Sequence, residues 1–366
     1  HTLNLPVIFL NSTKPLNNTK FFAQTPYAYS GKNLQLEVEI LLKAGQQNDI
    51  IIGNQMAHFA PTIARKLGKT WVYCPVSPLA MPSYHEVSLF PYFHPLQRKT
   101  LNQLWIQNLC LFFIRQVTRL LMRPVEKQQK LLGDDRHLHP QFEGMYSSEL
   151  NLFLTSSVLV TKQPNWPEKT IIAGFPWFDA NLYNQTERTD KLNQFLNAGS
   201  APVVFTLSSG LRGKTTPSPF FYESIKVCEL LGIRGIIVVP PKFYTHIKVP
   251  KNILISHYLP YDILFSQAQA VVHSGGVGTI AWCLKHSLPS LAIPMRTDQF
   301  DNAFRLEKRG LGKTIFTRKY NASHIALLLS DLLENKQQPL LLKKASKIID
   351  QEDGIRLACE QIEKLL

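Results

Sequence analysis

The sequence predicts an α/β protein with two domains, each built on a parallel sheet. Short apolar runs alternate with longer amphipathic stretches, which is the pattern of successive βαβ units. The alternation stops at an irregular stretch, 174–186, and then begins again. A length of 366 residues accommodates two domains of ordinary size. We therefore expect domains at 1–174 and 175–366.

The predicted elements follow this alternation in both halves. The predicted strands are Pro6–Leu10, Asp49–Gly53, Thr70–Pro75, Ser157–Val160, Thr170–Ala173, Pro202–Leu207, Gly235–Val239, Asn252–Ser256, Ala270–Val272, Ser290–Ile293 and Lys313–Phe316. The predicted helices include Asn33–Ala44, His58–Leu67, Phe220–Leu231, Thr279–His286, Ser323–Glu334, Pro339–Ile349 and Asp353–Leu366. Strands joined through helices pair in parallel, so each half should contain one parallel sheet.

Composition narrows the class of protein. With 45% hydrophobic and 18% charged residues, the chain is globular and not disordered. The formal charge of +14 suits nucleic acid, an anionic membrane surface or an anionic substrate, and does not rank them. The five cysteines are scattered, which favours neither a zinc site nor a disulfide framework. A reducing cytoplasm is therefore the expected location, and no metal ligand set is expected.

A glycine turn follows one of the predicted strands. The strand ends at His273, and Gly275, Gly276 and Gly278 precede a helix that starts at Thr279. Glycines allow close approach of a ligand to the backbone, and the unpaired N–H groups of a helix start suit a phosphate. His273 is placed to donate a hydrogen bond to a pyrophosphate oxygen. The bland alternatives are a tight packing turn and a buried structural histidine.

The loop after the next strand carries a carboxylate beside an amide, Asp298 and Gln299. This combination accepts and donates hydrogen bonds, as sugar hydroxyls require. Asp298 could instead cap the following helix, whereas Gln299 has no evident structural role. A phosphate site at one strand end and sugar-type groups at the next predict a nucleotide-sugar site, with all these residues in one cleft.

The rival hypothesis is a dinucleotide-dependent oxidoreductase. Residues 276–281 satisfy the G-x-G-x-x-G/A fingerprint, and Asp298 follows at about the expected distance. That fingerprint normally follows the first strand of its domain, whereas several βαβ steps precede this one. Its position therefore argues against a nicotinamide or flavin site.

One apolar stretch in the first half allows two interpretations. The segment 101–121 is interrupted by polar and basic residues, so it is a poor bilayer span. We favour a buried amphipathic helix with a basic outer face. The alternative is an interfacial helix, or the wall of a lipid-acceptor site, aided by nearby arginines and lysines.

The segment HSGGVGTIAWCLKHSLPSLAIPMRTDQFDNAFRLEKRGLG resembles the donor-site signature of GT-B-fold glycosyltransferases of the UDP-glucosyltransferase superfamily. It is most similar to the bacterial sterol-glucosyltransferase-like and glycopeptide-antibiotic groups. PVVFTLSSG resembles the family's strand and turn that place a phosphate-contacting serine, here Ser209. The chain departs from the family at Ser208, at Tyr261 and at Ala281, where plant-type relatives carry a ribose-binding glutamate. The family's first strand and its loop with the catalytic base are expected before His1, so the base remains unknown.

The resemblance implies two Rossmann-like domains facing a central cleft, with the last helix crossing back to the first domain. It implies an inverting, metal-independent hexosyltransferase that moves glucose from UDP-glucose to a hydroxyl of a sterol, lipid or aglycone, without a cofactor. Peripheral contact with an anionic membrane is an expected further partner; nucleic acid is not. A non-catalytic nucleotide-sugar-binding protein stays open as an alternative. The implied donor-binding residues are Ser209, Tyr258, His273, Gly275, Gly276, Gly278, Thr279, Asp298 and Gln299.

Overall fold

Two parallel sheets organise the chain in this computed structural model. The structure describes residues 31–177, 186–207, 218–239, 249–256, 259–316 and 320–366. The predicted strand Pro6–Leu10 lies outside these ranges. Within them, the strands are β1 Ile50–Gly53, β2 Thr70–Tyr73, β3 Leu150–Phe153, β4 Thr170–Ile172, β5 Val203–Thr206, β6 Gly235–Val238, β7 Ile253–Ser256, β8 Ala270–His273, β9 Ser290–Ala292 and β10 Lys313–Thr314.

Helices separate most of these strands, as predicted. In the first half they are α1 Gly31–Gln46, α2 Ala60–Lys66, α3 His94–Lys99, α4 Leu104–Leu121 and α5 Arg123–Leu131. In the second half they are α6 Thr186–Asn197, α7 Ser218–Leu231, α8 Tyr261–Ser266, α9 Val277–Lys285, α10 Gln299–Lys308, α11 Ala322–Glu334, α12 Gln338–Gln351 and α13 Gly354–Glu363. Of the helices in the described ranges, none has both the length and the apolarity needed to cross a bilayer.

The order of strands in the second sheet places the glycine turn. The first sheet runs β1-β2-β3-β4, and the second runs β10-β9-β8-β5-β6-β7, with every pair parallel. In the second sheet the chain winds outwards from β5 in one direction and from β8 in the other. The boundary between β5 and β8 is therefore the topological switch point, where open α/β sheets bind ligands.

One predicted strand is wrong. Residues 157–159 form a turn, and the strand of this region is β3, which begins at Leu150. The Ser156 hydroxyl accepts a hydrogen bond from the N–H of Val158, and the N–H of Leu159 donates to the carbonyl of Ser156. Such local serine turns compete with the extended conformation despite the β-branched residues that follow. In β3 a buried Asn151 interrupts the apolar run and weakens its strand pattern.

The two halves are in direct contact. Ala358 and Ile362 of α13 pack against buried residues of β2 and β3, so the end of the chain lies on the first sheet. On the other side, Arg305 of α10 donates to Glu86 at 2.8 Å and to Asp301 at 2.8 Å. Asp301 in turn accepts from the N–H of Leu89 at 2.9 Å. Hydrogen bonds from α10 thus connect the second half to the 86–89 loop of the first half.

The predicted basic outer face of α4 is wrong. The basic residues of the helix turn to its flanks, where Arg115 pairs with Glu143 at 2.7 Å and Arg119 with Glu126 at 2.9 Å. The outward face carries exposed apolar side chains instead, among them Trp105 and Phe112.

Candidate functional site

His273 ends the central strand β8 and is almost completely buried, with 1% of its surface exposed. In the sheet its register partners are Thr206 of β5 and Ala292 of β9. The imidazole therefore lies at the carboxyl edge of the sheet, at the switch point between β5 and β8. Tight packing of both neighbouring strands fixes its backbone.

The hydrogen bonding of His273 determines which ring nitrogen carries a proton. Nδ1 accepts the backbone N–H of Gly275 at 3.0 Å, so in the neutral ring the proton is on Nε2. Nε2 is buried without a hydrogen-bond partner among the described residues. Burial lowers the pKa of His273 to about 3, which keeps the ring neutral at pH 7. An unsatisfied buried donor costs about 1–3 kcal/mol, which makes this N–H a candidate ligand contact.

The residues from Ser274 to Gly278, here called the glycine turn, bring the backbone close to α10. Gly275 has a φ of +78°, and a Cβ there would lie 2.9 Å from the carbonyl oxygen of Gln299. Only glycine fits both conditions. Gly278 is the opposite case, since a Cβ would meet no atom within 4 Å. The turn thus has no room for a side chain at Gly275, where it packs on α10, and has free space at Gly278.

The start of α9 is a ready anion site. Gly276 is its N-cap residue, and the first intrahelical bond joins the N–H of Ile280 to the carbonyl of Gly276 at 3.1 Å. The N–H groups at 277–279 have no acceptor within the helix, and a glycine cap supplies no side chain for them. The helix dipole adds a partial positive charge at the same point. Thr279, in this first turn, is buried.

The predicted sugar-binding pair lies beside the glycine turn. Oδ2 of Asp298 accepts from the amide of Asn302 at 3.0 Å, and the same amide donates to the carbonyl of Gly275 at 3.2 Å. Asp298 occupies the N-cap position of α10, yet its side chain makes no capping hydrogen bond. The Asn302 amide therefore joins the half-buried Asp298 carboxylate to the glycine turn. Helix capping does not explain the position of this carboxylate.

The expectation that Gln299 has no structural role is wrong. Its side-chain oxygen accepts the backbone N–H groups of Met295 at 2.9 Å and Arg296 at 3.0 Å. This buried amide holds the loop that precedes α10 in place. The sequence missed this role because the donors are backbone groups, which carry no residue signature.

Two predicted site residues lie outside the described ranges, and the structure adds residues that the sequence analysis missed. Ser209 and Tyr258 lie outside the described residues. Asn302 was missed, although its position four residues after Asp298 places the two side chains on one helix face. The hydroxyl pair Thr206 and Tyr261, 2.8 Å apart at the carboxyl end of β5, was also missed. Among the described residues, no three His, Cys, Asp or Glu side chains gather as metal ligands do.

Comparison with solved structures identifies the architecture. The glycotransferase of kitacinnamycin superposes with a TM-score of 0.65 at 16% identity, covering 98% of this chain and 86% of that one. The calicheamicin glycosyltransferase does so with a TM-score of 0.65 at 13% identity, covering 95% and 81%. The chain has the GT-B fold.

Sequence comparison agrees with the GT-B fold. Residues 236–353 match the family model of the EryCIII-like C-terminal domain, described as "Erythromycin biosynthesis protein CIII-like". A sterol 3-beta-glucosyltransferase of Arabidopsis thaliana is 26% identical over 58% of this chain and 34% of its own length. One from Saccharomyces cerevisiae is 39% identical over 32% of this chain and 10% of its own length. The chain thus spans about a third or less of these curated relatives, and its resemblance to the UDP-glycosyltransferase superfamily is confirmed.

Two buried histidines of this GT-B chain should make it less stable in mild acid. Burial lowers the pKa of His273 to about 3 and that of His58 to about 4, from 6.5. Below pH 6.5 these histidines bind protons in the unfolded chain but stay neutral in the folded chain. The stability present above pH 6.5 is therefore lost as the pH falls. Between pH 7 and pH 5, each histidine should account for a loss of roughly 2 kcal/mol.

Urea unfolding at the two pH values measures this loss. His273→Asn and His58→Asn should each reduce the difference between pH 7 and pH 5 by roughly 2 kcal/mol. The exposed His85 provides the control, and His85→Asn should leave the difference as it is. An unchanged difference in both buried variants would contradict the prediction.

Proposed function

We propose that the chain is a glycosyltransferase that moves a hexose from a nucleoside-diphosphate sugar to a hydroxyl of a hydrophobic acceptor. The observation that carries this proposal is the buried, unpartnered Nε2–H of His273 beside the uncapped start of α9. Both kinds of preorganised donor belong to one strand–turn–helix segment, and both suit a diphosphate. The relatives named sterol 3-beta-glucosyltransferases support the acceptor class.

The donor site would act on the leaving group. In the proposed reaction the acceptor oxygen bonds to the anomeric carbon, the bond from that carbon to the diphosphate oxygen breaks, and a base takes the acceptor's proton. Negative charge builds on the diphosphate. The neutral His273 and the N–H groups of the first turn of α9 donate to it, and the helix dipole stabilises it. Since these donors stabilise the negative charge on the diphosphate, the proposal assigns no metal or cofactor.

Sugar recognition falls mainly to Asp298 in this proposal. The Gln299 oxygen is occupied by two backbone donors, so its part is to position the loop. Asp298 accepts from Asn302 and from the hydroxyl of Thr297 at 2.9 Å, and a carboxylate has capacity for further donors. Loss of the Asp298 carboxylate should therefore weaken binding of the sugar more than binding of the diphosphate.

The dehydrogenase hypothesis is not favoured. The glycine fingerprint follows β8, across the switch point from β5, the first strand of this sheet. A dinucleotide fingerprint follows the first strand of its domain. The sheet order therefore strengthens the objection raised by the sequence.

Several expectations remain part of this proposal. They are the boundary at 174/175, UDP-glucose as donor, an inverting outcome, a cytoplasmic location and contact with an anionic membrane. A rhamnosyltransferase of spinosyn, solved with thymidine diphosphate, shares the fold with a TM-score of 0.58 at 18% identity, covering 90% of this chain and 77% of that one. Thymidine diphosphate is accordingly the competing donor nucleotide.

Calorimetry with UDP, thymidine diphosphate and NAD tests the proposal. UDP should bind, with NAD showing no heat above dilution. If NAD binds and neither diphosphate does, the proposal is overturned in favour of an oxidoreductase. Binding of none of the three would favour a non-catalytic protein. Transfer of radiolabelled glucose from UDP-glucose to a sterol then separates an enzyme from a nucleotide-sugar-binding protein.

A further inference from the structure

The helix α4 exposes a broad apolar stripe that is interrupted by the exposed Gln116. Its members are 38–68% exposed, although large apolar side chains usually pack inside. They are Trp105, Leu109, Phe112, Phe113, Val117 and Leu120. The opposite face, with Leu111 and Ile114, is buried against the body of the first half. The helix is thus apolar on both sides, and only one side has a partner among the described residues.

The stripe is wide and long enough to contact a flat surface. At about 100° per residue, its members occupy an arc of roughly 140°. It extends over the whole helix, about 27 Å at 1.5 Å per residue. Leu96 and Leu101, which precede the helix in the chain, are exposed as well.

The carboxylates beside the stripe, Glu126 and Glu143, are paired with arginines of the helix, and the exposed charges at its two ends are positive. No Asp or Glu occurs between Glu86 and Glu126. Lys99 precedes the helix, and Arg123 and Lys127 follow it; all three are exposed. None of these three forms an ion pair with any carboxylate in the part of the chain that the structure describes. An apolar stripe with unneutralised cations at both ends therefore calls for an apolar partner with negative charge at its rim.

This charge pattern disfavours a second copy of the chain as that partner. A two-fold dimer places the same patch of each copy against the other. Whichever way two such helices cross, exposed cationic ends would approach exposed cationic ends, and the nearby Glu126 is already paired with Arg119. An anionic bilayer offers acyl chains for the stripe and phosphate for the cations in a single surface.

We propose that the stripe of α4 docks on an anionic lipid surface. Trp105, Phe112 and Phe113 insert at the level of the headgroups, where aromatic side chains are favoured. Lys99, Arg123 and Lys127 contact anionic headgroups, each raising the affinity about fivefold. Docking does not require a working donor site. If the proposed function holds, docking also brings the first half to the phase in which a hydrophobic acceptor dissolves.

Vesicle co-sedimentation of the 366-residue chain tests this proposal. Vesicles of phosphatidylcholine with phosphatidylglycerol are compared with pure phosphatidylcholine, at low and at high salt. The chain should pellet with the anionic vesicles at low salt and be released by high salt. The triple variant Trp105→Ser, Phe112→Ser, Phe113→Ser should bind about tenfold more weakly or worse. Lys99→Glu with Lys127→Glu should abolish the preference for anionic lipid.

A matched control uses exposed leucines elsewhere. Leu327→Ser with Leu340→Ser removes two leucines of the second half that are as exposed as the stripe, and binding should stay as in the unmodified chain. Melting temperatures check that every variant folds, and UDP calorimetry reports separately on the donor site. Failure of the chain to bind anionic vesicles at low salt overturns the proposal. So does a stripe variant that binds vesicles normally, or one whose only effect is to dissociate a dimer seen by analytical ultracentrifugation.

Discussion

Replacing Arg305 with methionine is expected to lower the free energy of unfolding by about 3–5 kcal/mol. Arg305 is 3% exposed and bonds both Asp301 of its own helix and Glu86 of the first half. Burial alone lowers the pKa of the guanidinium, but these two carboxylates outweigh burial and hold the pKa above its usual value. Methionine would leave Asp301 buried with one hydrogen bond from the N–H of Leu89. An uncompensated buried carboxylate is what makes the loss large.

Urea unfolding gives the measurement, and Arg356 gives the control. Arg356 also bonds two carboxylates, Asp353 and Glu360, but its side chain is 68% exposed. Because exposed ion pairs contribute at most about 1 kcal/mol, Arg356→Met should lower stability by no more than that. Equal losses in the two variants would mean that burial of Arg305 is not the cause.

Replacing Gly278 with alanine is expected to weaken UDP binding about 100-fold, or about 2.7 kcal/mol, without loss of stability. A Cβ at this position meets no protein atom within 4 Å, so the fold tolerates it. In the proposed donor site, this open space is where a diphosphate would approach the N–H groups of α9. In a helix, alanine also gains up to about 1 kcal/mol over glycine, so the melting temperature should rise slightly or stay.

Gly275→Ala provides the contrast. Its φ of +78° and the Gln299 carbonyl at 2.9 Å exclude a side chain, so this variant should lose both stability and UDP binding. The pair separates a ligand-facing glycine from a packing glycine on one turn. If Gly278→Ala binds UDP as tightly as the unmodified chain, the diphosphate does not lie at the start of α9.

Local pattern was enough to predict most of the elements and the core of the candidate site. Helix and strand periodicities are set by neighbouring residues, so the alternation of short strands and helices was visible in the sequence. The glycine turn after His273 was also visible, because the need for a positive φ at Gly275 selects a residue type. Among the described residues, the predicted strand Ser157–Val160 was wrong because two hydrogen bonds to Ser156 override β propensity.

Contacts between distant residues were decided only by the tertiary structure. The adjacency of β5 and β8, which makes the site a switch point, depends on a pairing of segments 67 residues apart, Val203 with Ala270. The orphaned Nε2 of His273, the loop-holding role of Gln299 and the bridge from Arg305 to Glu86 depend on which groups folding brings within hydrogen-bond distance. Periodicity showed that α4 is apolar but not which of its faces would be covered. A sequence records the apolar faces of a helix, whereas only packing determines which of them is left for a partner.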